Sequence, residues 1–139
     1  MKNNYHIGAL IIRVLLGITF FAHGVAKYQG GIGNIAGWFD SIGIPGFMAY
    51  VVATIELIGG LALILGFGTR IVSALMAIIL LVATFKVKLA VGFLGNGQMA
   101  GYELDLSMIG AAIYLLLNGS NVISIDSLFK KGQKPTLHV

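Results

Sequence analysis

The segment from Ile7 to Tyr28, IGALIIRVLLGITFFAHGVAKY, constrains this chain more than any other. Nearly all of its first twenty residues are apolar. At ~1.5 Å rise per residue they make about 30 Å of helix, the thickness of a bilayer's hydrocarbon core. Yet the segment carries Arg13 well inside, His23 near its far end and Lys27 one turn further. An ionisable group in lipid costs roughly 2.5 kcal/mol or more, so such a helix must turn these side chains toward protein, water or the interface. The rest of the chain has to supply their partners.

Composition agrees with a membrane setting. Of 139 residues, 58% are hydrophobic and only 10% charged, too apolar for an ordinary soluble domain and short enough for one small integral membrane domain. The net charge of +4 comes from basic residues scattered singly through apolar sequence, not from a solvated patch, so nucleic acid is not an expected partner. With no cysteine, disulfides, thiol relays and thiolate metal sites within the chain are excluded. Gly24 and Ala26 would make a weak signal-cleavage site, but Arg13 interrupts the apolar core and retention is expected.

Three further apolar stretches follow, Gly46 to Gly66, Ile71 to Val91 and about Tyr102 to Asn118. The expected fold is therefore an all-α integral membrane protein, four transmembrane helices in a bundle. In the first connection Ile35, Trp38, Phe39 and Ile42 recur at helical spacing, which predicts a short amphipathic helix in the interface with Trp38 at headgroup depth. The connection from Phe67 to Arg70 is so short that spans two and three must be antiparallel neighbours. Residues 1–126 form the membrane domain, and residues 127–139 a basic cytoplasmic tail ending in a solvated stub that includes Lys134. Lys2, Arg70, Lys130, Lys131 and Lys134 lie on one side, and Lys27, Lys86 and Lys88 on the other, a bias that puts both termini in the cytoplasm of a multi-pass cell-membrane protein.

Two constellations are candidates for chemistry. Arg13 lies roughly 9 Å from the cytoplasmic end of its span and Glu56 roughly 15 Å from that of the next, a difference a long arginine covers. That predicts an Arg13–Glu56 ion pair, as a clip fixing helix register or, alternatively, a mid-membrane proton or ligand site. Near the outer face His23, Lys27, Lys86, Glu103 and Asp105 fall within roughly 8 Å of the ends of their spans. Lys86 and Lys88 point about 200° apart, as do Glu103 and Asp105, so one of each pair is expected to face inward. An imidazole among lysines and carboxylates suits proton-coupled redox chemistry on a quinone-like ring, with His23 exchanging the proton. Phe20, Phe21 and Phe85 lie at a depth to line such a ring, and Gly24 leaves room for it. The alternative is an interfacial hydrogen-bond network. His6 and His23 sit toward opposite membrane faces, which argues against haem between them, metal-ligand spacing is absent, and no glycine run follows a strand as a nucleotide site requires. Glycines 17, 24, 59 and 60 are expected to let helix backbones approach closely.

RVLLGITFFAHGVAKY (Arg13 to Tyr28), SIGIP (Ser41 to Pro45), IELIGGLALILGFGTR (Ile55 to Arg70), GYELDL (Gly101 to Leu106) and NGSNVISID (Asn118 to Asp126), in this order, resemble the DoxX family of small four-helix membrane proteins. The likeness runs from Ile7 to Asp126. It includes small subunits of thiosulfate:quinone oxidoreductases, membrane partners in thiol-oxidant defence, and members associated with resistance to catechols and hydroquinones. The resemblance maps the family's first-helix arginine, histidine-glycine and lysine onto Arg13, His23, Gly24 and Lys27. Its glutamate before paired glycines falls on Glu56, its Thr-Arg hairpin on Thr69 and Arg70, and its Gly-x-Glu on Gly101 and Glu103. The chain departs from the pattern at Lys86 and Lys88, where many relatives have a histidine, and at Gly119-Ser120-Asn121, where Gly-Pro-Gly is usual.

The resemblance implies a membrane subunit of an oxidoreductase acting on quinones or hydroquinones, or in quinone and thiol-oxidant stress defence. Its partners would be the lipid bilayer and a soluble protein carrying the redox cofactor. The chain itself would hold none, with quinone as substrate or ligand. A non-catalytic scaffold that recruits soluble enzymes is the alternative. A small-solute carrier is a third reading, which would need a homo-oligomer to build a path.

Overall fold

A computed structural model describes residues 2–132, and every regular element in it is a helix. We label them α1 (Lys2–Gln29), α2 (Ile32–Ser41), α3 (Phe47–Leu65), α4 (Thr69–Val91), α5 (Tyr102–Asn118) and α6 (Ile125–Gly132). α1, α3 and α4 are long and apolar enough to cross a membrane. α5 has 17 residues, and α2 occupies the first connection. α6 straddles the expected boundary at residue 126, and the stub beyond Gly132, with Lys134, lies outside the described residues.

Glycine ends the helices where the chain must reverse. Gly66 takes a left-handed φ of 73° after α3, its N–H donates to Leu63 O at 3.2 Å and that of Phe67 to Ala62 O at 2.8 Å. These bonds satisfy carbonyls that the last helical turn would otherwise leave unpaired. α1 packs against α3, α3 against α4, α4 against α5 and α5 back against α1, while α2 lies over one end on α3 and α1. Leu16, Phe20, Leu63, Met76, Leu80, Ile109 and Leu115 fill the interior. Ile18, Ile58, Ile71, Ile78 and Leu117 stand exposed on the outer surface, as on helices whose outward solvent is hydrocarbon.

Two glycine contacts set the register of α1 on α3. A Cβ on Gly17 would lie 2.8 Å from Gly60 O, and one on Gly24 would lie 2.7 Å from Leu57 N. Gly59 serves the other neighbour, since a Cβ there would lie 2.6 Å from Met76 Cε. The paired glycines thus admit α1 on one side and α4 on the other, as close helix packing in lipid requires. This antiparallel register carries Lys27 to the height of Glu56 and Arg13 to that of Gly66.

Candidate active site: a cavity beside the Lys27–Glu56 pair

Lys27, in the last turn of α1, donates to Glu56 Oε2 at 2.6 Å, the one salt bridge among the described residues. The expected Arg13–Glu56 pair is not formed. Arg13 Nη1 donates to Ser120 O at 3.1 Å and Val122 O at 3.1 Å, and Nη2 to Ile123 O at 2.8 Å. Counting depth from the ends of apolar runs misplaced both residues, because α1 begins at Lys2 and the glycine contacts slide it along α3. Arg13 therefore clips α1 to the turn after α5. Asp126 completes that clip by accepting from Gly68 N at 2.9 and 3.1 Å, at the start of α4.

At the opposite end a cavity of about 280 Å³ opens between α2, α3 and α4. Its walls are mainly apolar, with Phe39 from α2, Ile42 just after it, Met48 and Val52 from α3, and Ile79 and Val82 from α4. Lys27 and Glu56 belong to its lining, as do Lys86, Lys88, Trp38 and Met99. Asp40 helps to shape it, since Oδ1 accepts from Gly46 N at 2.7 Å and joins the end of α2 to the start of α3. Several lining residues are themselves exposed, including Ile78 and Trp38, so the cavity is open between α2 and α4.

The far end of α4 widens into a π-helical turn over Thr84–Lys88. Such turns insert a residue into an α-helix and recur at functional sites. Thr84 Oγ1 lies 2.8 Å from Leu80 O and 3.2 Å from Asp105 Oδ2, tying α5 to this turn. Lys86 and Lys88 both contribute to the cavity lining, Lys86 exposed and Lys88 half-buried, and Lys88 Nζ donates to Ala100 O at 3.0 Å. Asp105 is buried and Glu103 half-buried.

The structure brings Lys27, Glu56 and Lys86 to the cavity and leaves Arg13, His23, Phe20, Phe21, Gly24, Phe85, Glu103 and Asp105 out of its lining. His23 is exposed and forms no side-chain hydrogen bond among the described residues, because it lies about 60° around α1 from Phe20, at the edge of the buried stripe. Phe20 is core, Gly24 is closed off by Leu57, Phe21 is half-buried, and Phe85 is exposed on the outer surface. Glu103 and Asp105 belong to the first turn of α5. Residues the sequence reading did not single out, Val52, Met99 and Asp40, supply walls and support. Only Asp40 carried a signal, an acid placed just before the Gly43–Pro45 turn.

The DoxX family's sequence profile matches residues 8–89, which include Arg13, Lys27, Glu56 and Lys86. The chain belongs to the DoxX family. Its DoxX relatives include the Bacillus subtilis protein named "Putative oxidoreductase CatD", 45% identical over 134 residues covering 96% of both chains. The Escherichia coli "Inner membrane protein YqjF" is 31% identical over 94% of this chain and 98% of its own. The Mycobacterium tuberculosis "Uncharacterized membrane protein Rv3486" is 31% identical over 88% of this chain and 81% of its own. No solved structure matches the chain. Membership of this family, with three helices apolar enough to span, makes the chain a membrane protein in contact with lipid.

Proposed function

We propose that this DoxX protein is the membrane subunit of a quinone-linked oxidoreductase, with the quinone or hydroquinone ring in the cavity between α2, α3 and α4. The observation that carries this reading is an apolar cavity of about 280 Å³ with a lysine–carboxylate pair in its wall. A flat ring with oxygens at its edge needs apolar faces and a few directed polar groups. Lys27 Nζ donates to a ring oxygen, and Glu56 accepts the proton that leaves it. Oxidation of a hydroquinone to a quinone releases two protons and two electrons. The protons leave by way of Glu56 and solvent, and the electrons pass to a cofactor on a soluble partner, since the chain has no cysteine or nucleotide motif. The relative named as a putative oxidoreductase supports this class of chemistry.

In this reading α5, about 25 Å long, is the fourth span. α2 lies in the outer interface with Trp38 at headgroup depth, and both termini are in the cytoplasm of a cell-membrane protein. The test is quinone binding and growth under hydroquinone or catechol stress for Glu56→Gln and Lys86→Gln, each first shown to fold by size exclusion and melting. Both variants are expected to lose binding and protection, while His23→Ala keeps them. Folded Glu56→Gln protein that binds quinone and protects cells like the parent would replace this reading with that of a non-catalytic scaffold.

A further inference from the structure

We propose that α6 and the turn before it form a foot that sits in the membrane interface and binds anionic phospholipid headgroups. This does not depend on the quinone reading. At about 100° per residue, Ile125, Leu128 and Phe129 share one face of α6, and Lys130 and Lys131 lie on the other. Leu128 and Phe129 are each 68% exposed, and Ile123 in the preceding turn is 79% exposed. An apolar stripe with lysines opposite is the pattern of a helix lying along a membrane surface.

The foot is held, not loose. Ile123 has φ 44°, the one non-glycine residue with positive φ among those described. A β-branched residue is an outlier there and persists only where its surroundings impose it. Here Arg13 Nη2 grips Ile123 O at 2.8 Å and the side chain is left outward. Asp126 fastens the start of α6 to the α3–α4 turn, accepting from Gly68 N at 2.9 Å and donating from its own N–H to Gly66 O at 3.2 Å. That turn joins two helices able to cross a membrane, so the foot lies at their common end, beside exposed Phe67 and Ile71.

Charge chooses the lipid. Lys130, Lys131 and Arg70 are exposed at this end. Of the chain's five acidic residues only Asp126 is there, and its carboxylate is engaged by Gly68. A cationic face over an apolar stripe fits an anionic headgroup with acyl chains beneath it, each lysine near such a surface favouring it roughly fivefold.

The experiment uses the full chain in vesicles, with Phe129→Trp in a Trp38→Phe background so that one indole reports. Brominated phosphatidylcholine and brominated phosphatidylglycerol are compared at low, equal mole fraction in an unlabelled phosphatidylcholine host. Both are expected to quench, with phosphatidylglycerol enriched roughly fivefold or more around the indole. Lys130→Gln with Lys131→Gln should sharply reduce that enrichment, leaving only the share due to Arg70. An indole that neither lipid quenches stands in water or beneath a protein partner, and overturns the proposal. Equal quenching by both lipids, or a preference undiminished by loss of both lysines, overturns the headgroup assignment.

Discussion

Lys27 Nζ and Glu56 Oε2, 29 residues apart in sequence, meet at 2.6 Å in the wall of the cavity. The carboxylate side chain is 7% exposed and that of the lysine 23%, so the two charges do not depend on each other equally.

Removing one partner of a buried pair costs about 3–5 kcal/mol, because the other charge is left without compensation. Lys27→Met strands the more buried carboxylate and should lower detergent stability more than Glu56→Gln. The double variant should recover at least ~1 kcal/mol of the summed loss, as contacting residues do in a double-mutant cycle. Denaturant melts of the four proteins measure this directly.

Arg13 belongs to a different network, and the same cycle with Glu56 should therefore be additive within about 0.5 kcal/mol. Arg13→Lys is not conservative here. A single ammonium cannot reach the carbonyls of Ser120, Val122 and Ile123 as the forked guanidinium does. Losing one or two charge-assisted bonds should cost about 2–4 kcal/mol, read as a fall in unfolding midpoint.

The glycines offer a paired test. Gly60→Ala sets a methyl group against the backbone of Phe21 and Gly17 and should cost about 1–3 kcal/mol by forcing α1 off α3. Gly110, in the middle of α5, has nothing within 4 Å of an added Cβ. Gly110→Ala should be neutral or stabilising by up to about 1 kcal/mol. A comparable loss at both positions would mean that the close approach of α1 and α3 does not set stability.

Because the chain has no cysteine, single cysteines at Asn3, Gly31, Gly97 and Gln133 report topology against no background. A membrane-impermeant thiol reagent should label whole cells at positions 31 and 97 only. Labelling at 3 or 133 with protection at 31 would invert the orientation.

Several helix limits were legible because hydrophobicity and glycine write them locally, but the start of α1 at Lys2, ahead of its apolar run, was not. The stretch from Gly46 to Gly66 became Phe47–Leu65, and the helix in the first connection was readable from Ile35, Trp38 and Phe39. The ion pairing was not legible. Which charge meets Glu56 depends on how far α1 slides along α3, and that is decided by backbone contacts at Gly17 and Gly24 whose partners no linear pattern names. That His23 stands outside the cavity lining was hidden for a related reason. Its depth was readable, but whether a neighbouring helix covers its side of α1 is a property of the assembled bundle. The π-helical turn also escaped, since one extra residue in a turn leaves no mark on composition.

Arg13 and Ser120, the first of its carbonyl partners along the chain, are separated by 107 residues. A ribosome adding about 5–20 residues per second delivers the first helix roughly 5–20 s before the turn that receives the guanidinium. Throughout that interval the arginine has no carbonyl cage and must be kept near headgroups, water or the insertion machinery. The bonds from the guanidinium to Ser120, Val122 and Ile123 can therefore form only after those residues have been made. A nascent chain stopped at Asn118 would expose an uncompensated cation to membrane quality control, even with every long helix already made.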